Sequence, residues 1–411
     1  MLTSSLQLSN QDASGFLPFT SSPPRLDAVV AIPARDEVDR IEACLRALAR
    51  QRDRSGTPID AGRFAVLLVA NNCRDDTALR ARSLTGLPFT LVCHELDLPT
   101  ARANAGSARR KALDLAASLL EASGGAHGLL LTTDADSRVS PSWLADNMAE
   151  ISAGADAVAG SIEFDPAELS LYPGLAEIRP QEAHYVKLCD ELVAAIDPRS
   201  HDPWPNHRWA WGASLAVRLQ VYRRVGGLPS VALAEDRAFV EALQTHDAHV
   251  RHALDVKVWT SARRSGRAPG GLADLLRQFA EDRDAVCDAH VETATLTMRR
   301  AAWRVRLRRL HAAGELLSHV ARWAPRLSLS ISRAVALLDS RPSAFGKSWQ
   351  AIERASPRLR RRRLDPECLS REIARAKRMI ALIKGSDAAG PAGNRPADLG
   401  ATRQQTIACS G

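Results

Sequence analysis

Nowhere in the 411 residues is there an apolar run approaching the roughly 20 residues that a membrane-spanning helix needs. The first 26 residues are rich in Ser, Pro and Gln. They lack a basic start followed by an apolar block, so no secretory signal is visible and a flexible leader is expected over 1–26. The seven cysteines (44, 73, 93, 189, 287, 368 and 409) form no C-x-x-C pair. That spacing argues against a disulfide frame or a zinc site and suits reduced thiols in a cytoplasm. No repeat of fixed period is visible. What the chain does have is 45% hydrophobic residues, enough to bury one large core or two smaller ones. It also has a lopsided charge. Residues 301–411 hold 22 Lys and Arg against 8 Asp and Glu, whereas residues 1–300 hold 33 against 39. A mildly acidic body thus carries a strongly basic C-terminal part, which points to an anionic partner such as a membrane surface or nucleic acid.

Up to about residue 160 the pattern alternates between short apolar runs and amphipathic stretches. Strands are expected at Ala28–Ile32, Phe64–Ala70, Phe89–Cys93, Leu129–Thr133 and Ala155–Phe164. Helices are expected at Val38–Arg50, Asp76–Ser83, Ala101–Ala122 and Ser140–Ser152, the last with Ser140 as N-cap and Pro141 at the first helical position. Such alternation predicts an α/β fold, a mostly parallel sheet with helices on both faces. Prolines break up 165–210, which reads as a helical insertion. Trp209–Val217 then reads as a strand, Leu219–Val225 and Leu233–Thr245 as helices, and His249–Trp259 as a last strand. Beyond Gly271 the chain reads as helical, and the Gly- and Pro-containing end as disordered.

Polar residues gather where strands end. "IPARDE" follows the first strand with Arg35, Asp36 and Glu37; "ANNCRDDT" follows the second with Asn71, Asn72, Asp75 and Asp76; "TTDADS" follows the fourth with Asp134 and Asp136. Each cluster alone is an ordinary turn or the acidic start of a helix, and Asp76 also stands where a cap is expected. Three clusters on one rim, at the carboxyl edge where α/β sheets bind ligands, favour a shared polar ligand.

"IPARDE", "ANNCRDDT", "TTDADS", "WGASLAVR…VGGLP" and "AEDRAFVEAL", in this order, resemble a family 2 glycosyltransferase with the inverting GT-A (Rossmann-like) fold, over roughly residues 27–270. The resemblance implies sugar transfer from a nucleoside-diphosphate sugar to a hydroxyl acceptor, glycan or lipid-linked, by metal-assisted single displacement. It implies a divalent cation, Mn²⁺ or Mg²⁺, with Asp136 as direct ligand and Asp134 nearer the ribose or the outer shell of the metal. Pro33, Arg35 and Glu37 match the nucleoside loop. Asn72 and Asp76 fall on the donor side, Asn72 where many relatives have an aspartate, and Arg74 replaces a common Ser or Thr. Asp236 becomes the general base and Glu235 an acceptor-orienting acid, with Trp211, Gly212 and Ala213 on the acceptor side. In "VWTSARRSGRAPGG", Arg263 and Arg267 suit a loop closing over diphosphate oxygens. "ARANAGSARRKAL", with Asn104, Gly106 and Arg109, matches a helix that borders the donor pocket, and it reads as structural.

The basic extension, 271–384, mixes an arginine run at 360–363 with amphipathic helices, and a disordered tail is expected over 385–411. Peripheral docking on anionic lipid at the inner face of the membrane is the favoured reading of these arginines. Nucleic acid is disfavoured, since the only tryptophans interleaved there are Trp303, Trp323 and Trp349. Two other classes stay open. A sugar nucleotidyltransferase usually carries a Gly-rich loop after the first strand, and "AIPARDE" has no glycine. A non-catalytic scaffold docked through its basic tail has no evident need for the acids at 134, 136 and 236.

Overall fold

The computed structural model describes residues 25–170, 180–263, 266, 271–281, 287–338 and 344–388. Its centre is an eight-stranded sheet in the order β3-β2-β1-β4-β7-β6-β8-β5. In chain order the first half runs β1 (Ala28–Ala34), α1 (Ile41–Leu48), β2 (Phe64–Asn71), α2 (Thr77–Ser83), β3 (Thr90–Leu96), α3 (Ala105–Ala122), β4 (Leu129–Thr132), β5 (Arg138–Val139), α4 (Trp143–Ser152), β6 (Ala157–Phe164) and α5 (Pro166–Leu169). There follow α6 (Pro180–Ile196), β7 (Leu215–Arg218), α7 (Leu219–Arg224), α8 (Glu235–Thr245), β8 (Val250–Thr260) and α9 (Leu272–Glu281). The extension comprises α10 (Ala294–Ala312), α11 (Val320–Trp323), α12 (Ile331–Ala336), α13 (Phe345–Ala355) and α14 (Leu369–Ala388).

The apolar runs become strands because both faces of the sheet are covered. Along β1, Ala28, Val30 and Ile32 face a core shared with Ile41, Leu45 and Leu48 of α1 and with Trp143 of α4. The alternate residues Val29 and Ala31 face Leu113 and Leu120 of α3, Tyr222 of α7 and Phe239 of α8. β1 is hydrogen-bonded in parallel to β2 and β4, β2 to β3, and β6 to β8. β7 is antiparallel to both β4 and β6, and β5 to β8. The sheet is therefore largely parallel with an antiparallel insertion, and the ends of β1, β2 and β4 share one edge.

Two local expectations are corrected. The strand expected at Trp209–Val217 starts only at Leu215, because the preceding backbone is used elsewhere: Gly212 N–H donates to Asp236 at 2.9 Å and Ser214 N–H closes a turn on Trp211 at 2.9 Å. The helix expected from Ser140 starts at Trp143. Ser140 instead extends the β5 edge, its N–H bonded to Lys257 O at 3.0 Å and its carbonyl accepting from Gln51 Nε2 at 2.8 Å.

The extension packs in two clusters. α6 and α14 enclose Tyr185, Leu192 and Ile380, and α10 to α13 enclose Leu307, Trp323 and Ile352. No described helix is long and apolar enough to cross a membrane. α13 is fastened to the sheet body: Asp247, in the left-handed region at φ 55, accepts from Phe345 N–H and Gly346 N–H at 2.6 and 2.7 Å. A Cβ on Gly346 would lie 1.9 Å from the carbonyl oxygen of Gln244 at the end of α8. Gly346→Ala is accordingly expected to lower stability by about 1–3 kcal/mol in urea unfolding and to raise hydrogen exchange in α13.

Candidate active site

The edge shared by β1, β2 and β4 carries loops of unusual backbone shape. After β1 the chain passes through Asp36 at φ 53, which turns Glu37 inward; its N–H donates to Thr77 Oγ1 at 2.8 Å. After β2, Asn72 sits at φ 51 and spends its amide on Leu98, donating to the carbonyl at 2.9 Å and accepting from the N–H at 3.2 Å. Non-glycine residues adopt this region seldom, mostly where the surroundings force it. After β4 come Asp134 and Asp136.

A cleft of about 540 Å³ opens over these ends. Pro33, Arg35, Glu37, Asp134, Asp136 and Arg263 all line it, so six of the sequence-predicted positions converge there. Asn71, and not Asn72, is the β2 residue on the lining. Asp76 stands at the N-cap of α2 without a side-chain cap bond. Arg267 lies outside the described residues.

Charge in the cleft is concentrated and buried. Arg263 forks onto Glu37 at 2.9 and 2.6 Å and reaches Asp136 at 2.9 Å. Burial, and then the neighbouring Asp136, push the Glu37 carboxyl up to about 7 against the pull of Arg263. Burial and Asp134 likewise raise the Asp136 carboxyl above its ordinary range. The approach to Arg263 is anchored by Glu168 of α5, which accepts from Ser261 Oγ at 2.6 Å and Ala262 N–H at 2.8 Å and pairs with Arg40.

The far wall is organised by Arg109 of α3, a buried guanidinium. It donates to Asp134 at 2.7 Å, Glu235 at 3.0 Å, Thr132 Oγ1 at 3.1 Å and the Gly212 carbonyl at 2.8 Å. Burial opposes its charge, but Asp134 and Glu235 more than compensate and hold its pKa above the usual arginine range. A Cβ on Gly212 would lie 2.5 Å from that guanidinium, and one on Gly106 would lie 2.2 Å from Val231 O, so both glycines permit the close approach. Glu235 and Asp236 open α8 behind Ala234, another left-handed residue at φ 57. Asp236 accepts from Gly212 N–H at 2.9 Å and from Arg237 N–H at 2.7 Å; burial and then Glu235 raise its pKa. Trp211 packs at a tilt against Trp209 with ring centroids 5.7 Å apart, and Ala213 is buried in the sheet core.

Arg109 was legible only as a structural helix residue, yet one signal marked it. It falls on the stripe of α3 shared with Ala112, Leu113 and Ala116, where the helical period calls for an apolar side chain. Asn71 was marked only as a member of the polar cluster after the second strand, and Arg40 and Glu168 carried no comparable signal.

The Glu37 carboxyl binds its proton more tightly folded than unfolded, so stability should fall as pH rises from about 4.5 towards about 7. Urea midpoints across that window are expected to decline in the wild type, and Glu37→Gln should remove part of that slope. An identical slope in the variant would contradict the assignment.

Residues 29–197 match the family model described as glycosyl transferase family 2. No curated protein matches the sequence significantly. Solved structures resembling the chain include the mannosyltransferase PcManGT from Pyrobaculum calidifontis in complex with GDP-Man and Mn²⁺. It is 17% identical, with 91% of this chain and 79% of that chain covered and a TM-score of 0.40. TarS 1–349 of S. aureus in complex with UDP is 16% identical, covering 89% and 92%, with a TM-score of 0.42. Glucosyl-3-phosphoglycerate synthase from Mycobacterium tuberculosis in complex with Mn²⁺, UDP and phosphoglyceric acid is 14% identical, covering 68% and 78%, with a TM-score of 0.36. Taken with the GT-A-like sheet, the match of residues 29–197 to the glycosyl transferase family 2 model marks the chain as a glycosyltransferase.

Proposed function

We propose that the cleft binds a nucleoside-diphosphate sugar and that the enzyme moves the sugar, with inversion, to a hydroxyl acceptor. The observation that carries this reading is the linkage of Asp134, Glu235 and the Gly212 loop through Arg109. That linkage sets a paired-carboxylate loop on one side and Asp236 on the other.

The donor set suits a hard divalent cation. Two carboxylates one residue apart, with the Asp136 pKa raised by burial and by Asp134, form an excess of negative charge that Mn²⁺ or Mg²⁺ would relieve. Asp136 would hold the ion directly, with Asp134 in its outer shell or at the ribose. When bound, such an ion draws negative charge from the departing diphosphate. Pro33, Arg35 and Glu37 then cradle the nucleoside, with Asn72 and Asp76 shaping the loop behind them. Arg263 and Arg267 take diphosphate oxygens.

Asp236 accepts the proton of the acceptor hydroxyl as that oxygen bonds to the anomeric carbon and the bond to diphosphate breaks. Its raised pKa brings it closer to the value a base needs near neutral pH. Glu235 is held by Arg109 and orients the acceptor beside Trp211 and Gly212, whereas Ala213, expected on the acceptor side, is taken up by the core. A nucleotidyltransferase would not need Asp236 where it is, and a scaffold would bind no nucleotide.

A second reading concerns the extension. Leu317, Ile331 and Val335 are exposed among the exposed Arg322, Arg326 and Arg333, an apolar and basic surface suited to anionic lipid.

Calorimetric titration with UDP, GDP and dTDP, with and without Mn²⁺, tests the donor assignment. Asp136→Ala is expected to abolish metal-dependent nucleotide binding. Asp236→Asn is expected to keep that binding while turnover drops by about 10²-fold or more. Wild-type turnover in Asp236→Asn would remove it from the role of base.

A further inference from the structure

A second pocket lies where the helical extension meets the start of α8, with a volume of about 220 Å³. Five arginines, Arg208, Arg237, Arg300, Arg304 and Arg361, line it with three acids, Asp190, Glu292 and Glu353, and two further acids, Asp197 and Asp288, pair with Arg304 and Arg237 from outside the lining. His290 on the same wall adds no positive charge near neutral pH, because burial, Arg237 and Arg361 bring its pKa down to about 4. Burial and Arg199 likewise pull Arg304 down to about 10. Cations here crowd one another.

Most of the guanidiniums are already committed. Arg208 reaches Asp190 at 2.6 Å. Arg300 holds Glu292 at 3.2 Å, Glu353 and the Leu359 carbonyl. Arg304 reaches Asp197 at 2.7 Å, a carboxylate behind the wall that also serves Arg199 and Arg308. Arg237 and Arg361 differ: the ion pairs they make are long, 4.0 Å to Asp288 and 3.7 Å to Glu292, and their side chains are 44% and 41% exposed. They form the open mouth of the cavity. Beside Arg361, Glu292 is 4% exposed, and its Oε2, 3.7 Å from that guanidinium, has no hydrogen-bond partner. A buried carboxylate oxygen in that state calls for a donor such as a ligand hydroxyl. Trp209 and Trp349 supply apolar wall.

Position ties this cavity to the reaction. Arg237 follows the proposed base Asp236, and Trp209 packs at a tilt against Trp211, beside the Gly212 N–H that donates to Asp236. Resting on the transferase reading above, we propose that the cavity binds the anionic end of the acceptor, a phosphate monoester on a hydroxyl-bearing compound. Arg237 and Arg361 take the phosphate and Glu292 takes a hydroxyl. The two mouth arginines, whose ion pairs are long, match a dianionic phosphate, which guanidinium forks bind by paired donors. The acceptor is therefore either a soluble phosphorylated polyol or sugar, or the phosphate headgroup of a lipid.

The test uses the full chain. Glycerol 3-phosphate and glycerol are titrated by calorimetry, and phosphatidylcholine vesicles with and without phosphatidic acid are assayed by co-sedimentation. Saturable binding of the phosphate ester, or of phosphatidic acid vesicles, is expected where glycerol and plain vesicles fail, and the responding arm identifies the source. Arg237→Gln and Arg361→Gln should each weaken that binding about tenfold or more, since hydrogen bonds to charged groups are worth at least that factor. Arg361→Lys should restore part of it, and the exposed Arg378→Gln should change nothing. Mn²⁺-dependent nucleoside diphosphate binding, unchanged in the Arg237 and Arg361 variants, reports that they fold. The proposal is overturned if neither phosphate source binds, or if both arginine variants keep wild-type affinity. It is also overturned as an acceptor site if the ester binds to a protein that takes no nucleoside diphosphate, a result that separates failure of the donor reading from failure of the cavity.

Discussion

The buried guanidinium of Arg109 is the contact on which the rest of the site depends. One side chain on α3 ties the loop after β4, the first turn of α8 and the loop through Gly212, the last two being joined also by the Gly212 N–H bond to Asp236. Surface ion pairs contribute little to stability, about 0–1 kcal/mol each. A buried charge is different in kind. Desolvation makes it costly alone, so the fold holds together there only with both carboxylates in place. The arrangement also explains the two glycines. Gly106 lets α3 approach the chain before α8, and Gly212 leaves room for the guanidinium itself.

Much of this was written locally in the sequence. The apolar runs at 28–32, 64–70 and 129–133 are strands because β-branched and aliphatic residues are buried on both faces, and the acids after them fall at one edge by the logic of parallel strands. What was not legible depends on distant partners. Trp209 to Ser214 carry a strand-like composition, but their backbone groups bond to Asp236 and within their own turn. The two residues of β5 have no pattern of their own and exist only because β8 runs past them. Asn71 and Asn72 are adjacent and chemically alike, and only the left-handed turn decides that the second is tied to Leu98 while the first lines the cleft.

The basic extension shows the same limit in its charges. Read as a run of arginines it looks like a surface for a large anion. Folded, several of those arginines face inward: Arg304 and Arg308 converge on the buried Asp197, and Arg300 on Glu292 and Glu353. Net charge counts residues without regard to whether a partner lies across an interface. Other arginines stay exposed, among them those of the 360–363 run and Arg322, Arg326 and Arg333.

α8 is gripped at both ends, by Arg109 on Glu235 at its start and by the abutment of Gly346 on the Gln244 carbonyl at its finish. Its 11 residues therefore act as a spacer of fixed length, about 16 Å at the helical rise. Adding or losing one residue within it would swing the two acids by about 100° relative to the extension, so this segment can change its letters far more freely than its count.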